Sequence, residues 1–283
     1  MSDELRSLTQ RLRNQASDQH LDVQRLRRHV AFERILAQLS ADPHWVVKGG
    51  FCLELRLGVT ARATRDLDLA NDRPLPTSSH AVQDLLDEVL DQPETDGFRF
   101  SVELPKPMRQ EMLDRTVWRC GVGVTFHREH FERVILDVVE TLPELAAATD
   151  TLTVNSIIPG RHADTFAVQA LDVHQHAAEK IHAYARVYAH DRASSRVKDL
   201  VDLVLLLESG LIDDQRWGAR IRQTFAVRDA AGPPDHLDDP PEDWRRPYVA
   251  MAAGLGLGAE NTAAAHALVN DAYRRALRTT ERP

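Results

Sequence analysis

The stretch Lys48-Gly49-Gly50-Phe51-Cys52-Leu53-Glu54-Leu55-Arg56-Leu57-Gly58, continued by Arg62-Ala63-Thr64-Arg65-Asp66-Leu67-Asp68, decides how the rest of the chain is read. Before it, Trp45-Val46-Val47 is a short strand-like run after Pro43 that stops at Lys48 and the glycines. Residues 51–57 suit two turns of helix, closed by Gly58. Two glycines between a strand and a helix allow a tight turn and leave amide N–H groups that no side chain shields, so an anion such as a phosphate is the natural guest. Asp66-Leu67-Asp68-Leu69 alternates polar and apolar residues, as a half-buried strand does. Alternate strand residues share a face, so the Asp66 and Asp68 carboxylates can reach one divalent cation while Leu67 faces the core. Magnesium suits such a pair: it takes hard oxygen ligands, keeps some water, and commonly sits between one or two carboxylates and substrate phosphates. A Gly-Gly pair alone reads as a helix-starting turn, and Asp-x-Asp alone carries less. In this order they bring a phosphate cradle and a metal clamp into one crevice.

Working outward, the 283 residues are 43% hydrophobic and 28% charged, which excludes intrinsic disorder and suits one large or two ordinary domains. No apolar run approaches the roughly 20 residues of a membrane-spanning helix, and Met1-Ser2-Asp3-Glu4-Leu5-Arg6 lacks the apolar core of a signal peptide, so a cytoplasmic location is expected. Cys52 and Cys120 fit a reducing compartment and cannot build a Cys-rich zinc site. The formal charge of −8 argues against coating nucleic acid through the overall field. Local basic runs remain at Arg25, Arg27, Arg28 and His29, at Arg186, His190, Arg192, Arg196 and Lys198, and at Arg274, Arg275 and Arg278. Each reads first as a solvated helix face.

From Asp3 to Leu39 the apolar spacing predicts a long helix preceded by a shorter one. Strands are expected at residues 98–104, 116–125 and 134–139. Beyond about Phe166 the period changes from two to three or four. Helices are expected at 168–190, 195–207, 213–227, 243–255 and 259–280, with an acidic, proline-rich loop from Gly232 to Pro241. The expected architecture is an α/β domain with a mixed sheet and N-terminal helices, residues 1–165, followed by an all-helical domain, residues 166–283.

On Gly49-Gly50, Leu53 and Arg62-x-Thr64-x-Asp66-Leu67-Asp68, the chain resembles the nucleotidyltransferase superfamily that includes DNA polymerase β. More narrowly, it resembles the AbiEii/AbiGii toxin family with its MenT-type toxins. Polymerase β-like enzymes usually carry Gly-Ser where this chain has Gly49-Gly50, and AbiEii-like proteins often carry Gly-Gly. Two-metal transfer needs a further carboxylate on an adjacent strand, and Asp137, an acid within Val134-Ile135-Leu136-Asp137-Val138-Val139, is the candidate metal ligand beside Asp66 and Asp68. Its alternative is an acid at a strand end, facing water or paired with an arginine.

The resemblance extends to a helical lysine, Lys180, followed by Arg196-Val197-Lys198-Asp199-Leu200-Val201-Asp202-Leu203. It implies that Lys180 neutralises triphosphate charge, helped by Arg196 or Lys198, and that Asp199 and Asp202 orient those cations or contact the nucleotide. Without it, Lys180 would read as a snorkelling lysine and the two aspartates as surface acids. Lys48 and Arg62 flank the motifs and would contact phosphate; Thr64 would add a hydroxyl contact. Further implications are Mg²⁺ or Mn²⁺, an NTP substrate, a tRNA 3′ end as acceptor, and a cognate antitoxin. Transfer to a small molecule such as an aminoglycoside, or a catalytically silent nucleotide-binding module, are the rival readings. His127, His130, His174 and His176 have no metal-binding spacing and read as surface or core-edge residues. The chain has no Walker A loop, Gly-x-Ser-x-Gly elbow or Gly-x-Gly-x-x-Gly fingerprint.

Overall fold

The computed structural model describes residues 2–91, 96–110, 115–142, 148–158, 165–185, 196–229 and 232–279. Contacts divide the chain into two compact units, Met1–Leu55 with Ala63–Ala170, and Arg56–Arg62 with Leu171–Pro283. The first contains helices α1 (Asp3–Asp18) and α2 (Val23–Leu39), strand β1 (Trp45–Lys48) and most of helix α3 (Gly49–Leu57). Strand β2 (Asp66–Asn71) and helix α4 (Ser79–Leu90) follow, then strands β3 (Phe98–Val102), β4 (Lys106–Gln110), β5 (Arg115–Phe126), β6 (Glu129–Glu140), β7 (Thr149–Asn155) and β8 (Thr165–Leu171). The strands form one mixed sheet in the order β3-β5-β6-β2-β1-β8-β7, with β4 also paired to β5.

Strand β2 sits at the middle of that order, antiparallel to β1 and parallel to β6. Its alternation divides it as the sequence implies. Leu67 and Leu69 are fully buried in a core shared with Phe32, Ile35 and Leu36 of α2, while Asp66 and Asp68 point to the other face. The β5–β6 hairpin turns on His127 and Arg128, both with positive φ (48° and 67°), the backbone of a tight two-residue hairpin that follows the strand twist. Helices α1 and α2 start with side-chain caps from Ser2 and Asp22 and are nearly equal in length, 16 and 17 residues, rather than short and long.

The second unit holds α5 (Val173–Ala185), α6 (Val197–Glu208), α7 (Asp214–Arg228), α8 (Arg245–Leu255) and α9 (Thr262–Arg278). Trp217, Tyr248 and Tyr273 are its largest fully buried side chains. Helices α7 and α9 approach so closely that a Cβ at Gly218 would lie 2.1 Å from the Ala276 carbonyl oxygen. Asp172, 3% exposed, accepts from the Gln175 amide at 2.9 Å at the start of α5 and from Arg216 at 3.2 Å, tying α5 to α7.

The helix expected from residue 168 begins instead at Val173. The alternating apolar run through Val168 and Ala170 pairs with β1 as β8 and then flows into the helical stripe, so the two periods merge in sequence. The strand expected to reach Leu104 ends at Val102. The sequence reading does not anticipate α4, β4 or β7; the last is a Thr-rich strand at the end of the sheet order that buries one side chain, Val154. Residues 186–195, with Arg186, His190 and Arg192, lie outside the described residues. Among those described, no helix is long and apolar enough to cross a membrane.

Gly49 has φ +63°, and a Cβ there would lie 1.8 Å from Oδ2 of Asp68. Gly49→Ala should therefore lower stability by about 1–3 kcal/mol through left-handed strain and contact with the Asp68 carboxylate, measured as a drop in urea midpoint. Burial works against a charged Asp172, but His174 at 3.5 Å, the Gln175 amide and the Arg216 guanidinium outweigh it and hold the carboxyl down at about 2. Because the folded value lies below the unfolded one, this stabilisation is present above about pH 4 and is lost as pH falls through about 2. Asp172→Asn should remove about 1–2 kcal/mol at pH 7 and flatten the stability curve across that interval, read from urea melts at successive pH values.

Candidate active site

On the sheet face opposite α2, register places four charged residues side by side across four strands. Lys48 on β1 pairs with Asp68 on β2, Asp68 with Asp137 on β6, and Asp137 with Arg119 on β5. Register partners in a sheet share a face, so these side chains form one row, with Asp66 two residues before Asp68 on the same side. Gly49 follows Lys48 directly and opens α3, whose first turn carries no acidic residue; its missing side chain makes room for the Asp68 carboxylate. The glycine turn and the paired aspartates thus meet, as their order in sequence implies.

Asp137 does not extend freely toward the other two acids. Arg119 donates to both of its oxygens, Nε to Oδ1 at 2.7 Å and Nη2 to Oδ2 at 2.5 Å, and lies 3.8 Å from Asp66 Oδ2. The hydrogen bond to Asp137, aided by the charges of Asp137, Asp66 and Asp68, outweighs burial and raises the guanidinium's already high pKa. Of the two readings open for Asp137, this geometry has the arginine pair. Arg119 is absent from the sequence-derived site, since an arginine within a strand reads as an ordinary outward residue until register shows its neighbour.

Glu54 is the second residue that sequence reasoning missed. Only 5% exposed on α3, it accepts from the Thr64 amide at 2.7 Å and lies near two partners on α2, Arg25 at 3.4 Å and His29 at 3.8 Å. Thr64, itself buried, donates its hydroxyl to Asp66 Oδ1 at 3.1 Å. A buried acid thereby fixes the backbone just before β2, and the threonine orients the first aspartate. Arg25 and Arg27 are internally engaged: Arg27 donates to the Phe131 carbonyl, approaches Glu132 at 3.6 Å and stacks over the Phe131 ring. That basic run is not the solvated face expected from sequence.

In the second unit, Asp202 is fully buried on α6. It accepts from Arg62 at 2.8 and 3.0 Å and from Lys180 at 2.7 Å. Lys180 also reaches Asp199 at 3.2 Å, and Arg196 donates to Asp199 at 3.1 Å. Burial opposes the charge on Lys180, but Asp202 and Asp199 overcome it and keep its pKa above the usual lysine value. Burial likewise opposes the charge on Asp202, which Lys180 and Arg62 hold below the ordinary carboxylate range. Lys180 is therefore not snorkelling, and Asp202 is not a surface acid. The network also pins residues 56–62, the end of α3 and the first part of its link to β2, within the helical unit. Lys198 is exposed.

His174 and His176 are buried at 3% each, contrary to the expected surface or core-edge position, while His127 and His130 are exposed. Burial pushes the Cys120 thiol up to about 12, so it is no ready nucleophile. Among the described residues, no three His, Cys, Asp or Glu side chains converge as a metal shell. Two partly exposed carboxylates with oxygen-only donors still fit a hard cation that completes its shell with water and phosphate, and do not fit a closed zinc site.

Residues 31–277 match the family described as nucleotidyl transferase AbiEii toxin, type IV toxin–antitoxin system. No curated protein sequence matches the chain. Among solved structures, MenT4, a nucleotidyltransferase toxin from Mycobacterium tuberculosis H37Rv, aligns at 20% identity with a TM-score of 0.53, covering 89% of this chain and 84% of that one. A putative nucleotidyltransferase from H. pylori aligns at 14% identity with a TM-score of 0.46, covering 91% and 96%. The first likeness supports the mixed α/β fold with its helical C-terminal part. With a family pattern matched over most of its length, the chain belongs to the AbiEii nucleotidyltransferase toxin family.

Proposed function

We propose that this toxin-family nucleotidyltransferase moves a nucleoside monophosphate from an NTP to an RNA acceptor, a tRNA 3′ end, in a reaction that depends on a divalent cation and is restrained by a cognate antitoxin. One observation carries the reading: Asp66 and Asp68 share a sheet face, and the second abuts the glycine that opens α3. In the reaction an acceptor hydroxyl oxygen bonds to the α-phosphorus, the α–β bridging bond breaks, pyrophosphate leaves and the hydroxyl proton passes to solvent. Bound Mg²⁺ or Mn²⁺ would be held by Asp66 and Asp68 and would supply charge stabilisation to the transferring phosphoryl group. Gly49 and Gly50 present amides to phosphate, Lys48 adds a cation beside them, and Thr64 holds Asp66 in its orientation.

The helical unit's part rests on the family resemblance. Lys180, Arg196 and Lys198 are proposed as counter-charges for triphosphate, with Asp199 and Asp202 orienting the first two and Arg62. The RNA acceptor is what the family resemblance implies, and Arg274 and Arg278, both exposed on α9, are compatible with it. Asp137 joins the metal ligands in this proposal only with Arg119 moved from its oxygens.

With labelled NTPs, Mg²⁺ and total RNA, the native protein should label RNA, and Asp66→Ala or Asp68→Ala should cut labelling by about a hundredfold or more. Labelled RNA from both variants at native levels would remove the site assignment. Labelling should also weaken by about tenfold or more between low and physiological salt, as an RNA acceptor requires and a small acceptor does not. Asp202→Asn should destabilise the protein by about 3–5 kcal/mol, because Arg62 and Lys180 lose their buried counter-ion. Denaturant melts would show this, with Asp199→Asn, at a less buried position, shifting the midpoint less.

A further inference from the structure

The geometry points to Arg119 as a fixed cation that stands in for a second divalent ion, so that the site takes one metal ion per chain, held by Asp66 and Asp68, and Asp137 serves as the seat of the arginine. This rests on the metal-clamp reading above and goes beyond it, because two-metal transfer would require Asp137 as a ligand.

Three observations on one sheet face carry it. First, the row across β1, β2, β6 and β5 runs Lys48, Asp68, Asp137, Arg119, so the two acids are bracketed by cations in register. Second, the guanidinium engages both oxygens of Asp137 in the planar two-bond pairing that gives arginine–carboxylate contacts their strength and direction. Asp137 is 9% exposed, so a metal ion could claim it only by stripping a mostly buried carboxylate of an existing counter-ion. Third, the arginine's free side is turned toward the other acids. Nη2 is 3.8 Å from Asp66 Oδ2, and the charges of Asp66 and Asp68 both act on the guanidinium. The Arg119 side chain is 44% exposed and Asp66 40%, which leaves both within reach of a phosphate or an acceptor hydroxyl, whereas the Asp137 side chain, at 11%, is largely covered. Arg119 thus supplies positive charge where a second ion would, with donors already oriented by Asp137.

The test counts Mn²⁺ bound per chain, by the electron paramagnetic resonance signal of the free ion, with each of the four α,β-methylene NTPs in turn. The native protein should bind one Mn²⁺ with the analogue it accepts, and Asp137→Asn should still bind one. Arg119→Gln should bind two, and Arg119→Gln with Asp137→Asn should return to one. Two ions in the native protein, or loss of an ion in Asp137→Asn, would overturn the inference while leaving the Asp66–Asp68 clamp intact. One ion in a folded Arg119→Gln, checked by circular dichroism, would also overturn it. Should Arg119→Gln not fold, the native and Asp137→Asn counts decide alone. No bound Mn²⁺ in the native protein would overturn the inference and the clamp together, and native binding unchanged in Asp66→Ala with Asp68→Ala would do the same.

Discussion

A hydrogen atom where any other residue would carry carbon sets the geometry of the site. The Asp68 carboxylate occupies the space a side chain at position 49 would need, and the positive φ of Gly49 turns the chain from β1 into α3 at that point. Both facts depend on β1 and β2 being antiparallel neighbours with Lys48 opposite Asp68. The amides that open α3 and the acid that would hold a cation are therefore consequences of one backbone pairing. Substrate phosphate and metal need such proximity, since phosphoryl transfer is catalysed mainly by positioning and charge.

Around that contact, buried ionic groups do the positioning. Glu54 sits under Thr64 and fixes the approach to β2; Asp202 gathers Arg62 and Lys180 and fixes the preceding segment within the helical unit. Each is an acid on an otherwise apolar helix face, and each would be unfavourable there without its cations or amide. Residues 56–62 belong to the helical unit and residues 63–65 lead into β2 in the first unit.

Arg119 shows how a sheet can build an electrostatic device from residues far apart in sequence. Its partner Asp137 is 18 positions away across the β5–β6 hairpin, and Asp66 is 53 positions before it. The hairpin register alone sets whether the arginine meets the acid or passes it by; a one-residue slip would send it to the opposite, apolar face.

By itself the sequence determined the periodicities. The alternation at Asp66–Leu69 assigned the aspartates to one face and the leucines to the core, the glycine pair marked the turn between β1 and α3, and the family resemblance named the chemistry, because these signals are local or carried by type and spacing. Tertiary structure decided what depends on pairing between distant segments. It alone made β8 a strand rather than the start of a helix, since β1 lies beside it; buried His174 and His176; and enclosed Lys180 between Asp199 and Asp202. It also set Arg119 on Asp137. A residue's neighbour across a sheet or within a helical core is set by register and packing, and nothing in its own stretch of chain records them.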